Sequence, residues 1–132
     1  MSETQKLQNF SGENLITEIV KRIKIALGNN DAYWYENCSK VAVPINEKGF
    51  DIAELDFYFD QHPPLAEIAK EIINCHPSGT PLDLTLQIPS ESQVICNLRK
   101  ALTPLGFHLI TIVYNDIHCE KHAEIVIYLQ VI

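Results

Sequence analysis

The order of apolar and polar positions divides the chain into segments of two different periods. Leu15, Ile16, Ile19, Val20, Ile23 and Leu27 recur at the three-and-four spacing of a helix. Ser11 stands at its start as an N-cap, Phe10 before it can pack on Leu15 as a hydrophobic staple, and Gly28, Asn29 and Asn30 end it. Lys21, Arg22 and Lys24 fall on its outer side, towards the negative end of the helix dipole. A second stripe, Leu65, Ile68, Ala69, Ile72 and Ile73, follows Pro63 and Pro64, which suit a first helical turn where a missing N–H costs nothing. A third runs through Val94, Ile95, Leu98, Ala101, Leu102 and Leu105. Ser90 is its expected cap, with Gln93 answering as a capping box, and Gly106 its expected end.

Period two marks the strands. YWYENCSKVAVPI reads as two short strands or one interrupted strand, with Asn37 to Lys40 able to turn between them. Pro44 cannot donate to a ladder, which predicts a place at the sheet edge. Leu55, Phe57 and Phe59 alternate with Asp56, Tyr58 and Asp60, a strand with one wet face. Leu82, Leu84, Leu86 and Ile88 alternate with Asp83, Thr85 and Gln87 until Pro89 stops them. FHLITIVY is apolar on both faces, as an interior strand is, and AEIVIYLQVI should be its antiparallel neighbour across the bend NDIHCEKH. Together these predict an α+β two-layer sandwich with a mixed or mostly antiparallel sheet of five or six strands and helices on one face. If the strands flanking the third helix are parallel, their crossover is right-handed.

Size confines this pattern to one core. A chain of 132 residues, 46% of them hydrophobic, fills one core well, so residues 1–10 read as a polar tail and 11–132 as a single domain. The net charge of -7 opposes sequence-independent binding to a nucleic-acid backbone. The excess is uneven: residues 1–50 hold six Lys/Arg and six Asp/Glu, residues 51–132 four and eleven. Such a run is a solvated face or an acidic docking surface. No stretch is apolar enough for a membrane span and the opening residues carry no secretion signal, which predicts a cytoplasmic protein away from membranes. Cys38, Cys75, Cys96 and Cys119 form no CxxC pair and read as reduced, mostly buried thiols.

Little of the sequence carries chemistry. His118, Cys119 and His122 are weak metal candidates, with Cys75 and His76 as a further source of ligands. Adjacent His118 and Cys119 would point to opposite faces of a strand, and the spacing fits neither a CxxC knuckle nor HExxH. A polar bend is the better reading. A reactive Cys119 beside a protonated histidine is a third. Nucleotide-binding glycine motifs and nucleophile elbows are absent, so no catalytic residue and no cofactor are assigned.

The interaction candidates are aromatic. Tyr33, Trp34 and Tyr35 are consecutive, so at least one must face away from its neighbours, into a core or an interface. Tyr58 between Asp56 and Asp60, with Asp83, can form a polar aromatic face towards a basic partner. In the last strand Val126, Tyr128 and Gln130 face away from Ile125, Ile127, Leu129 and Val131. Uncovered, Val126 and Tyr128 leave apolar surface, and a free terminal strand invites symmetric pairing. The expected function is therefore a protein-interaction module, a homodimer or an acidic adaptor or inhibitor of a basic partner. The alternatives are a small-ligand-binding domain and a small cysteine- and histidine-dependent enzyme. The polar-bend reading predicts that protein prepared without chelator contains no stoichiometric zinc by elemental analysis. A ratio near one, lost when Cys119 and His122 are replaced, would overturn it.

Overall fold

A computed structural model describes residues 12–45, 63–73, 84–117 and 122–132. They form α1 (Gly12–Gly28), β1 (Tyr33–Tyr35), β2 (Lys40–Pro44), α2 (Pro63–Ile73), β3 (Leu84–Gln87), α3 (Gln93–Leu102), β4 (Phe107–Ile117) and β5 (His122–Val131). The five strands make one antiparallel sheet in the order β1-β2-β5-β4-β3. All three helices contribute to a single core on one face of it, giving the two-layer α+β sandwich. The expected strand at Leu55 to Phe59, the tail and the Ser11 cap lie outside the described residues.

Each helix buries the stripe that its period announced. Leu15, Ile19 and Ile23 of α1, Leu65, Ile68 and Ile72 of α2, and Ile95, Leu98 and Leu102 of α3 are all buried. They meet Val41 and Val43 of β2, Ile125, Ile127 and Leu129 of β5, and Leu109, Ile112 and Tyr114 of β4. Apolar positions at spacing three and four on the helices and two on the strands can face one another only in such layers.

Helix ends show where side-chain chemistry overrode the simplest reading. α1 ends at Gly28 as expected, and of Gly28, Asn29 and Asn30 it is Asn30 that closes it: Asn30 is left-handed at φ 63, its N–H reaches the Leu27 carbonyl, and the Asp31 N–H reaches the Ala26 carbonyl at 2.8 Å. That pair of bonds is a Schellman closure, in which asparagine substitutes for glycine. The cap of α3 is Ser92, not Ser90. Its Oγ accepts from the Val94 N–H at 3.2 Å and donates to Glu71 Oε1 of α2 at 2.9 Å, whereas Ser90 Oγ lies 3.3 Å from Glu91. A buried hydroxyl that both caps one helix and binds another is fully satisfied, and this favours Ser92. Leu105, expected on the α3 stripe, instead sits in a closing 3-10 turn, 42% exposed, because Pro104 cannot supply the next helical N–H. The turn ends at left-handed Gly106.

Two expectations about the sheet are corrected, and one conditional expectation does not apply. β5 is its central strand, paired with β2 on one side and β4 on the other, so the chain's last strand offers no free edge. β3 and β4 are adjacent and antiparallel, so no handed crossover arises around α3. Pro44 is on the second strand rather than the edge. The Ile45 N–H donates to Ile125, so the nitrogen of Pro44 points the other way, beyond the reach of β1, which ends its pairing at Ala42. One irregularity, a bulge, sets Ile110 as an extra residue between Leu109 and Thr111, and Arg99 Nε donates to the Leu109 carbonyl beside it at 3.2 Å.

Ile127 sits at the middle of this arrangement, opposite Val43 and Ile112 and fully buried. Ile127→Ala is expected to destabilise the protein by about 2–5 kcal/mol, the cost of lost transfer energy plus a cavity that two flanking strands cannot fill. Urea unfolding followed by circular dichroism measures it, and a loss well under about 1 kcal/mol would mean that β5 does not organise the core.

Candidate interaction surface

The hairpin joining β1 and β2 displays the aromatic run. Its turn, Glu36 to Ser39, places three consecutive residues, Glu36, Asn37 and Cys38, in left-handed conformation at φ 49, 57 and 64. Only asparagine among them tolerates that region well, and the others cost on the order of 1–2 kcal/mol each. Local bonds hold the turn: Ser39 Oγ donates to the Glu36 carbonyl at 2.6 Å, and Lys40 Nζ lies 3.0 Å from Glu36 Oε2.

From this turn β1 runs along the sheet margin with Tyr33, Trp34 and Tyr35 exposed by 61%, 43% and 37%. None is a core residue, and Trp34 is set apart from its neighbours. Tyr33 stands opposite Ala42 and Tyr35 opposite Lys40, on the face away from the core, while Trp34 stands opposite buried Val41 on the helix side. Because Val43 and Val41 direct their backbone groups to β5, Ala42 and Lys40 pair with Tyr33 and Tyr35. The N–H and C=O of Trp34 therefore point outward from the sheet.

The register continues the tyrosine surface inward. Ala42 is opposite Tyr128, and Tyr128 opposite Thr111, so Tyr33 and Tyr128 share one rung across a small alanine. Tyr128 is half-buried, and its phenol is raised above the ordinary value of 10.0, by burial first, then by Tyr35 and by the carboxylate of Glu124. Glu124, four residues before Tyr128 on the same face, is a member of this surface that the aromatic pattern alone missed; period two from Tyr128 would have found it. Val126 departs from expectation, being only 5% exposed and so no part of an open apolar patch.

The other candidates fall differently. Asp56, Tyr58, Asp60 and Asp83 lie outside the described residues, as do His118, Cys119, Cys75 and His76. The backbone of His122 opens β5 opposite Ile117. Among the described residues no three His, Cys, Asp or Glu side chains gather where they could hold a metal ion. Cys38 and Cys96 are exposed, contrary to the expectation of buried thiols: Cys38 occupies the strained turn and Cys96 the outer side of α3. Among the described residues no helix is long and apolar enough to cross a membrane. Comparison with protein-family models, curated proteins and solved structures finds no match.

Tyr128 makes the surface sensitive to alkali. A raised phenol keeps its proton in the folded state when the unfolded chain has lost it, so this contribution is complete below pH 10.0 and is lost as pH rises through the folded value. In a spectrophotometric titration of phenolate absorbance, Tyr128→Phe is expected to remove a phenol that ionises later than an ordinary tyrosine and to soften the loss of stability above pH 10.0. An unchanged titration curve beyond the loss of one ordinary tyrosine would contradict the burial.

Proposed function

We propose that the chain is a protein-interaction module that self-associates through the β1 edge, with the tyrosine-bearing face of β2 and β5 as its flank. The observation that carries this reading is the exposure of Tyr33, Trp34 and Tyr35 together on an edge strand whose central residue directs its backbone donor and acceptor outward. Tyrosine and tryptophan are the residues that interfaces concentrate, since they bring large rigid area at low entropic cost.

Symmetric antiparallel pairing of two β1 strands would place Trp34 of each copy beside the two-fold axis and satisfy its backbone groups. Three residues supply few hydrogen bonds, so the aromatic side chains must provide most of the contact. The overall charge of -7 is a weak obstacle at this point, because Glu36 and Lys40 neutralise each other within the hairpin.

Light scattering coupled to size exclusion at tens of micromolar is expected to give twice the mass of one chain. Trp34→Ala should weaken the dimer by about 2 kcal/mol, roughly thirtyfold, and leave the circular dichroism spectrum intact. A monomeric mass for the unaltered protein removes self-association. Capture of a basic protein that high salt releases and Trp34→Ala abolishes would then assign the same edge to a different partner.

A further inference from the structure

The helix layer carries a second surface of opposite chemistry. A trough runs between α1 and α3, formed of two adjoining concavities of about 420 and 600 Å³ that share Ile16, Thr17 and Ala101. Val20 and Ile25 extend its apolar lining, and Ile25 is 52% exposed although it belongs to a helix with a well-covered core stripe. From Glu13 at one end to Ile25 at the other the trough follows α1 for about 18 Å, taking 1.5 Å per residue. It is open along its length.

The cations of this acidic chain sort themselves by this trough. Among the described residues Arg22 lies against Glu18, Lys40 against Glu36 and Lys70 against Glu67, and Arg99 donates to the Leu109 carbonyl. Lys21, Lys24 and Lys100 have no ion-pair or hydrogen-bond partner among the described residues, and all three line the trough. Lys21 and Lys24 come from the α1 side and Lys100 from the α3 side, so positive charge stands on both banks of an apolar floor. Glu13 is the one carboxylate in the lining, at the end away from Lys24 and Ile25.

We propose that the trough between α1 and α3 is a docking site for an amphipathic acidic helix of a partner protein, apolar along one stripe and carrying carboxylates on either side of it. An apolar stripe at three-and-four spacing fits the floor of Ile16, Val20 and Ala101, and flanking carboxylates reach the lysines on both banks. An open channel of this length suits a helix of about twelve residues. A small ligand would bind a closed pocket with convergent polar groups. A flat anionic membrane would touch the lysine rims and Ile25 without reaching the floor. This surface is separate from the β1 edge, so the two readings stand or fall independently.

Fluorescence anisotropy with the full chain tests the site, using two labelled helical peptides that share one leucine stripe and differ only in flanking Glu or Lys. The Glu-flanked peptide is expected to bind at least about tenfold more tightly, with affinity falling as salt rises. Lys21→Glu with Lys24→Glu should invert the preference, weakening the acidic peptide at least about tenfold and improving the basic one. A misfolded variant would bind neither. Trp34→Ala should leave both affinities unchanged, which separates this site from self-association. Equal binding of the two peptides, no binding of either, or an unchanged preference in the double variant would overturn the proposal. Sedimentation with vesicles containing about 30% anionic lipid, without binding of the acidic peptide, would replace it with a membrane surface.

Discussion

The burial of one face of β5 under the helix layer holds the remaining structure in register. Ile125, Ile127 and Leu129 are each almost inaccessible, and each sits opposite an element that depends on it: Leu129 opposite Val41 and Leu109, Ile127 opposite Val43 and Ile112, Ile125 opposite Tyr114. Full burial of such a side chain contributes about 1.5–3 kcal/mol. A slip of one residue would turn Tyr128, Gln130 and Glu124 into the core together, a cost no local bond could offset. β2 and β4 therefore take their register from β5, while β1 and β3 are added outside them and, among the described residues, are bonded on one side only.

That dependence also decides where exposure falls. With the described helices on one face, the large side chains on β1 stay exposed: Tyr33 and Tyr35 face away from the core, and Trp34, though on the helix side, lies at the margin. The left-handed turn at Glu36, Asn37 and Cys38 adds conformational strain next to them, and the Ser39 and Lys40 contacts to Glu36 hold it. The aromatic edge is thus presented by a short, locally braced hairpin whose far side leans on β5 through β2.

The two layers differ in charge as well as in secondary structure. The sheet side carries tyrosines with Glu124 beside Tyr128 and a neutralised Glu36–Lys40 pair; the helix side carries Lys21, Lys24 and Lys100 around an apolar channel. The aromatic edge and the lysine-bordered trough therefore lie on different layers of the sandwich. The two surfaces share one core, since α1 packs on β2, which in turn pairs with β1.

By itself the sequence determined which residues would be buried within each element and the class of fold they would make. A period of 3.6 selects Leu15, Ile19 and Ile23, or Ile95, Leu98 and Leu102, and a period of two selects Ile125, Ile127 and Leu129, because backbone geometry alone sets which side chains share a face. It also announced the pairing of β4 with β5, which follow one another with a short connection. The tertiary structure alone decided strand order, and so moved the last strand from a supposed edge to the centre and buried Val126. It chose Ser92 over Ser90 by supplying Glu71 from another helix, left Cys96 and Leu105 outside, and brought Lys100 to the trough that Lys21 and Lys24 border. Periodicity records the direction of a side chain relative to its own backbone; which distant residue it meets depends on how elements pack, and that information belongs to no local stretch of the chain.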